Sequence, residues 1–144
     1  LPLNVKTTVE ELGVDEKIAS FVLPLGMTIN MNGTAIMEVI ATLFIAGCAG
    51  YSISFTQLVV IALLALIASA GTPAAPGSGA IILFTILSGL GYVNDAAMLA
   101  YSLILAINRP IEMLVTALNV VGDSATSIYV AKSEGVLNED VYNA

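Results

Sequence analysis

Histidine is absent from this 144-residue sequence, and cysteine occurs once. The first absence excludes histidine general bases and imidazole metal sites. The second excludes an intrachain disulfide and any cysteine-cluster metal site. Cys48 lies in an apolar run and reads as a small packed hydrophobe. Charge is scarce as well. Asp, Glu, Lys and Arg make up 10% of the residues, against about 25% in soluble domains. A water-facing surface cannot be built from so few. Only four residues are basic and they form no patch, which excludes a nucleic-acid partner.

What is abundant is apolar: 58% of the residues are hydrophobic. Between Ile18 and Asn94 the only ionisable acid or base is Glu38. Lipid is therefore the expected solvent, and the expectation is a multi-pass, all-α integral protein of the cell membrane. The net charge of -7 gathers in a polar loop (Glu10, Glu11, Asp15, Glu16) and a polar tail (Glu134, Glu139, Asp140). Leu1 to Val5 lack the basic and apolar regions of a signal peptide, and the sequence reads as an excerpt of a longer one.

The order of apolar runs and breaks carries more information. Asn4 to Leu12 is short and amphipathic, and reads as the end of a helix leaving the membrane. A polar turn follows, with Asp15 placed to cap the next helix. Residues 17–29 are apolar, Asn30-Met31-Asn32-Gly33-Thr34 interrupts, and apolar character resumes from Ala35 to Ala49. Irregular backbone facing lipid costs several kcal/mol per unsatisfied group. The break must therefore be buried in protein or line a wet cavity.

Ser52 to Gln57 reads as a polar loop. Leu58 to Ser69 predicts a helix of about twelve residues, too short for a bilayer that needs about twenty. Two prolines and three glycines between Ala70 and Gly79 end it, and Ala80 to Leu90 predicts a second short helix. One severely kinked helix would also produce this pattern. A re-entrant hairpin is the expectation, because short Gly/Pro-interrupted segments mark transporter binding sites. A loop at residues 91–95 leads into a long helix ending near Val130. The tip lacks the lysine of a phosphate-binding loop, and Asn32-Gly33-Thr34 matches a glycosylation acceptor that membrane burial would leave unused.

In the long helix, Asn108, Glu112, Thr116, Asn119 and Asp123 stand 4, 4, 3 and 4 residues apart, on one face. An acid at bilayer depth costs about 2.5–3.5 kcal/mol. Two acids on one face therefore need partners, and a cation and a polar substrate are the expected ones. The plainer reading pairs Glu112 with Arg109 and puts Asp123 at the membrane edge. Asn30, Asn32 and Thr34 add oxygen ligands of the kind a hard cation takes, or merely mark a hinge.

Residues 24–34, Pro-Leu-Gly-Met-Thr-Ile-Asn-Met-Asn-Gly-Thr, resemble the signature of the sodium:dicarboxylate symporter family. Ser69 to Gly77 resembles the tip of that family's second hairpin. Asn119-Val120-Val121-Gly122-Asp123 resembles its last-helix motif, and Ala131-Lys132 its helix exit. The resemblance implies a C-terminal part of a transport domain. Residues 1–13 would end a first hairpin, 16–49 form a broken helix and 55–91 a second re-entrant hairpin. Residues 95–131 would be the last transmembrane helix and 132–144 a polar tail.

By the same resemblance, Gly26, Asn30, Asn119 and Asp123 would hold one sodium ion. Thr28, Ser69, Ala70 and Thr72 would hold a second. Thr34, Ala75, Gly79, Glu112, Thr116 and Asn119 would surround the substrate. The family implies sodium or proton as coupling ion, an elevator-like motion, and homotrimers formed by N-terminal scaffold helices missing here.

Three departures bear on function. Asn32 and Asn108 stand where the family commonly has Asp, the first near a third cation site. Val115 stands where members for acidic substrates carry an arginine, which favours a neutral amino acid. The expected function is thus secondary symport of an amino acid or dicarboxylate. A channel-like protein using the same polar face is the alternative. An enzyme ranks last, since Glu112 and Asp123 lie about 16 Å apart along a helix, too far for most two-carboxylate chemistry.

Overall fold

The computed structural model describes residues 1–73 and 75–144; Ala74, inside the expected hairpin tip, lies outside the described residues. The described residues form helices and no strand. In order these are α1 (Pro2–Glu10), α2 (Glu16–Ile29), α3 (Asn32–Cys48), α4 (Phe55–Ala70), α5 (Ser78–Leu90), α6 (Asp95–Ser133) and α7 (Glu139–Tyr142).

Local chemistry explains where the elements begin and end. Asp15 caps α2 by accepting a hydrogen bond from the Lys17 amide at 2.9 Å. The stretch Ser52 to Gln57 is not all loop, as its polarity suggests, because α4 already begins at Phe55. Ser54 and Gln57 form a reciprocal capping box: the Gln57 amide donates to Ser54 Oγ, and Gln57 Oε1 accepts from the Ser54 amide. Polar side chains here start the helix. With 16 residues, α4 is roughly 24 Å long. Gly77, at φ +87, turns the chain into α5 in a left-handed conformation that side chains rarely adopt.

Helix α6 runs 39 residues, past the expected end at 131 to Ser133. That is roughly 58 Å, longer than the ~30 Å hydrocarbon layer. It continues through Pro110, whose ring removes one helical donor. At its start Asn94 caps the Ala97 amide and also donates to the Ala49 carbonyl, which ties α6 to the end of α3.

Helix α3 is central and packs on α4, α5 and α6, while α2 lies along α6. Ile45, Ile61, Leu83 and Leu87 fill the main core, and Ala41, Ala46, Ala97 and Ala100 let the helices approach closely. A second cluster, built on Val14, Ala19, Leu23 and Ala131, joins α2 to the end of α6. The Tyr101 hydroxyl donates to the Ala80 carbonyl at 2.9 Å and holds α5 against α6.

The outward surface is apolar. Phe21, Phe55, Ile67, Leu103 and Leu114 are all more than half exposed. A patch of this kind marks contact with lipid or further protein. Two stretches, Glu16–Cys48 and Asp95–Ser133, are long and apolar enough to cross a membrane.

The core makes a direct prediction. Ile61 is fully buried and Phe55 is 80% exposed. Ile61→Ala should lower stability in detergent by about 2–5 kcal/mol. Phe55→Ala should stay within about 0.5 kcal/mol of the parent. Thermal denaturation of the two variants side by side checks both.

Candidate functional site

The site forms where the polar face of α6 meets the break between α2 and α3. Only Asn30 and Met31 leave the helical path, so the break is shorter than the five residues the sequence suggests. Asn32, Gly33 and Thr34 belong to the first turn of α3. Met31 occupies the cap position and its side chain makes no cap hydrogen bond. Asn119 supplies the missing acceptor from α6: its Oδ1 accepts from the Gly33 amide at 2.8 Å. Asn30 Nδ2 donates to Asp123 Oδ1 at 2.8 Å and reaches the Asn119 carbonyl at 3.4 Å.

Glycines allow this approach. A Cβ on Gly122 would stand 2.7 Å from Asn30 Nδ2, and one on Gly26 would collide with the Asp123 carboxylate. Gly26, Asn30, Asn119 and Asp123, the four residues expected around one cation, therefore meet at one point. Among the described residues no three His, Cys, Asp or Glu side chains cluster. A cation at this point would be held by one carboxylate together with carbonyl oxygens, the donor set of a hard ion.

The second expected set is less closely knit. Thr28 lies on α2, and its hydroxyl donates to the Leu25 carbonyl at 2.7 Å. Ser69 and Thr72 are buried near the end of α4 and donate to the Leu66 and Ala68 carbonyls. Ala70 is exposed. Helices α2 and α4 touch. Among the described residues no side-chain hydrogen bond joins Thr28 to the other three.

Thr34, Ala75, Gly79, Glu112, Thr116 and Asn119, expected around a substrate, all line one cavity of about 720 Å³. Thr72 and Val115 line it too. The charged residues in its wall are Arg109 and Glu112. Glu112 Oε1 accepts from the Gly77 amide at 2.9 Å and from Asn108 Nδ2 at 2.8 Å. Glu112 thus bridges α6 to the turn before α5. Arg109 Nη1 lies 3.3 Å from Glu112 Oε2, the pair that the plainer sequence reading describes. Asn119 reaches into the same cavity, its Nδ2 3.4 Å from Thr34 Oγ1.

Two features escape the sequence reading. Met27, Met31, Met37 and Met113, four of the five methionines, line the cavity. Their positions near the break and along α6 were the available signal, but helical spacing alone also fits core packing. The other is Glu38. It is fully buried, and neither carboxylate oxygen finds a hydrogen-bond partner among the described residues; the same holds for the Thr42 hydroxyl. Its isolation among apolar residues was the signal, since an intramembrane acid raises the hypothesis of a functional site.

The close approach at Gly122 predicts an asymmetry between glycines. Gly122→Ala must displace Asn30 from Asp123 and should destabilise the protein by about 1–3 kcal/mol. Gly89, where a Cβ meets nothing, should tolerate alanine with a gain of about 0.4–1 kcal/mol. Unfolding in detergent measures both.

Comparison with known proteins gives the same direction. A nematode "Excitatory amino acid transporter" from Caenorhabditis elegans is 39% identical over 125 residues, which is 86% of this chain and 24% of the relative. The protein of the same name from Onchocerca volvulus is also 39% identical over 125 residues, again 86% of this chain and 24% of the relative. Human "Excitatory amino acid transporter 2" is 37% identical over 137 residues, 93% of this chain and 23% of the relative. The chain spans about a quarter of the length of these relatives. The model of the sodium:dicarboxylate symporter family matches residues 1–133. With that match and its apolar helical architecture, the chain belongs to the sodium:dicarboxylate symporter family, membrane transport proteins rather than enzymes.

Proposed function

We propose that this chain carries the ion- and cargo-binding part of a sodium-coupled symporter whose cargo is a neutral amino acid. One observation carries the reading. The six expected cargo residues share a single cavity, and that cavity adjoins the cluster of Gly26, Asn30, Asn119 and Asp123. Relatives named for amino-acid transport support the cargo class.

In this reading one sodium ion binds the Asp123 carboxylate and the carbonyls of Gly26, Asn30 and Asn119. A second binds oxygens of Thr28, Ser69, Ala70 and Thr72. Asn119 couples ion to cargo. Its carbonyl faces Asn30, and its side chain holds the start of α3 and reaches Thr34 in the cavity. Fixing Asn119 with sodium raises cargo affinity, and by linkage cargo raises sodium affinity equally. Glu112 takes the cargo's amino group.

Helices α4 and α5 form a re-entrant hairpin, each being shorter than the ~30 Å hydrocarbon layer. The hairpin at residues 71–79 gates the cavity, and the unit moves as an elevator against scaffold helices of a homotrimer. Selectivity comes from the walls. Val115 and four methionines offer no partner for a side-chain carboxylate, whereas adaptable thioethers suit an apolar side chain.

Uptake by the whole protein in liposomes tests the reading with L-alanine, L-serine, L-leucine, L-methionine, L-glutamate and L-aspartate. Neutral amino acids should be taken up only with a sodium gradient. Asp123→Asn should raise the half-saturating sodium concentration about tenfold or more, the loss of one charged ligand. Val115→Arg should add uptake of L-glutamate or L-aspartate. An unchanged preference in Val115→Arg would sink the selectivity argument.

A second coupling ion is favoured by Glu38. A carboxylate buried without donors needs a counter-charge, and a proton is the smallest that fits. If protons travel with sodium, uptake by the parent should acidify the liposome interior, and Glu38→Gln should abolish that acidification while leaving cargo binding intact. Acidification that persists in Glu38→Gln would remove Glu38 as the carrier.

A further inference from the structure

We propose that Arg109 is a built-in competitor for the cargo's ammonium group and so sets the affinity of the cavity for amino acids. The inference rests on the reading above, in which Glu112 takes that ammonium.

The two oxygens of Glu112 are not equivalent. Oε1 is filled by donors that cannot easily leave: the backbone amide of Gly77 at 2.9 Å and the side-chain amide of Asn108 at 2.8 Å. Asn108 is itself 6% exposed and locked among its neighbours. Oε2 meets Arg109 Nη1 at 3.3 Å. The Glu112 side chain is 19% exposed and that of Arg109 is 73% exposed. One oxygen is thus held by rigid donors and the other by a long, mobile, permanently charged side chain.

A carboxylate accepts hydrogen bonds at both oxygens. An arriving ammonium finds Oε1 saturated and must take Oε2, which Arg109 covers. Displacing the guanidinium costs less than displacing either amide, because it makes one 3.3 Å contact from a side chain that lines the open cavity. The charge balance agrees. Asn108 contributes no charge, so Glu112 and Arg109 cancel within the cavity wall. A zwitterion then replaces one balanced pair by another, its ammonium taking Glu112 Oε2 as Arg109 swings aside.

The rival role for Arg109 is to grip the cargo's carboxylate. It makes the opposite prediction, so one substitution separates the two. In liposomes holding the whole protein, sodium-driven uptake of L-alanine, L-serine, L-leucine and L-methionine is measured for parent, Arg109→Gln and Arg109→Lys. Arg109→Gln should lower KM about two- to fivefold, the range expected when a single-contact ion pair no longer competes. Arg109→Lys keeps the charge and should stay near the parental KM. An unchanged or raised KM in Arg109→Gln overturns the proposal, as does an equal fall in Arg109→Lys. Glu112→Gln tests the underlying reading separately: uptake should be lost. Parental KM in Glu112→Gln, or a parent that takes up none of the four, removes that reading and the inference with it.

Discussion

The structure depends on how α6 repairs the broken backbone between α2 and α3. Ending one helix and starting another leaves amides and carbonyls without intrahelical partners. In hydrocarbon each orphan costs several kcal/mol. Here the repair comes from α6. The Asn119 side chain accepts the Gly33 amide at the start of α3, and its carbonyl together with the Asp123 carboxylate receives the Asn30 side chain. The break is stable because a polar face lies against it, and that face is tolerated in an apolar helix because the break lies against it. Neither would survive alone facing lipid.

This mutual dependence places the helix break and the cavity in one mechanical unit. The residue that repairs the break also lines the cavity, through the Asn119 amide beside Thr34. A ligand acting on Asn30 or Asp123 therefore acts on the start of α3, and through it on the cavity wall. No long relay is needed. The start of α5 joins the same unit through Glu112, whose carboxylate accepts the Gly77 amide. The cavity thus has a helix break on one side and the turn before α5 on the other, with α6 holding both.

Much of this was legible because polar residues in an apolar sequence are conspicuous. The 4, 4, 3, 4 spacing from Asn108 to Asp123 gives the polar face directly. The break at Asn30 was visible for the same reason, but its length was not. Polarity marks five residues, whereas two leave the helical path, because Asn32, Gly33 and Thr34 fit a first helical turn whose amide is capped from α6. That cap comes from 86 residues away, and no local pattern contains it. The start of α4 was misplaced for a local reason: polarity at Ser54 and Gln57 signals either a loop or a capping box, and here it is the box. The methionine wall was the least legible feature, since methionine serves core packing equally well.

The ionisable residues of the apolar segments show a graded compensation that bears on what each can do. Asp123 is buried and accepts an amide hydrogen bond from Asn30. Glu112 has two amide donors and a guanidinium, and is the most fully compensated. Glu38 is the deepest and has no partner among the described residues. If these acids were only structural, burial and compensation would rise together, because an unpaired charge in a dry interior costs most. They run the other way. The acid whose burial is most costly is the one the fold leaves unsatisfied. In the reading proposed above, a coupling proton would meet that unsatisfied need.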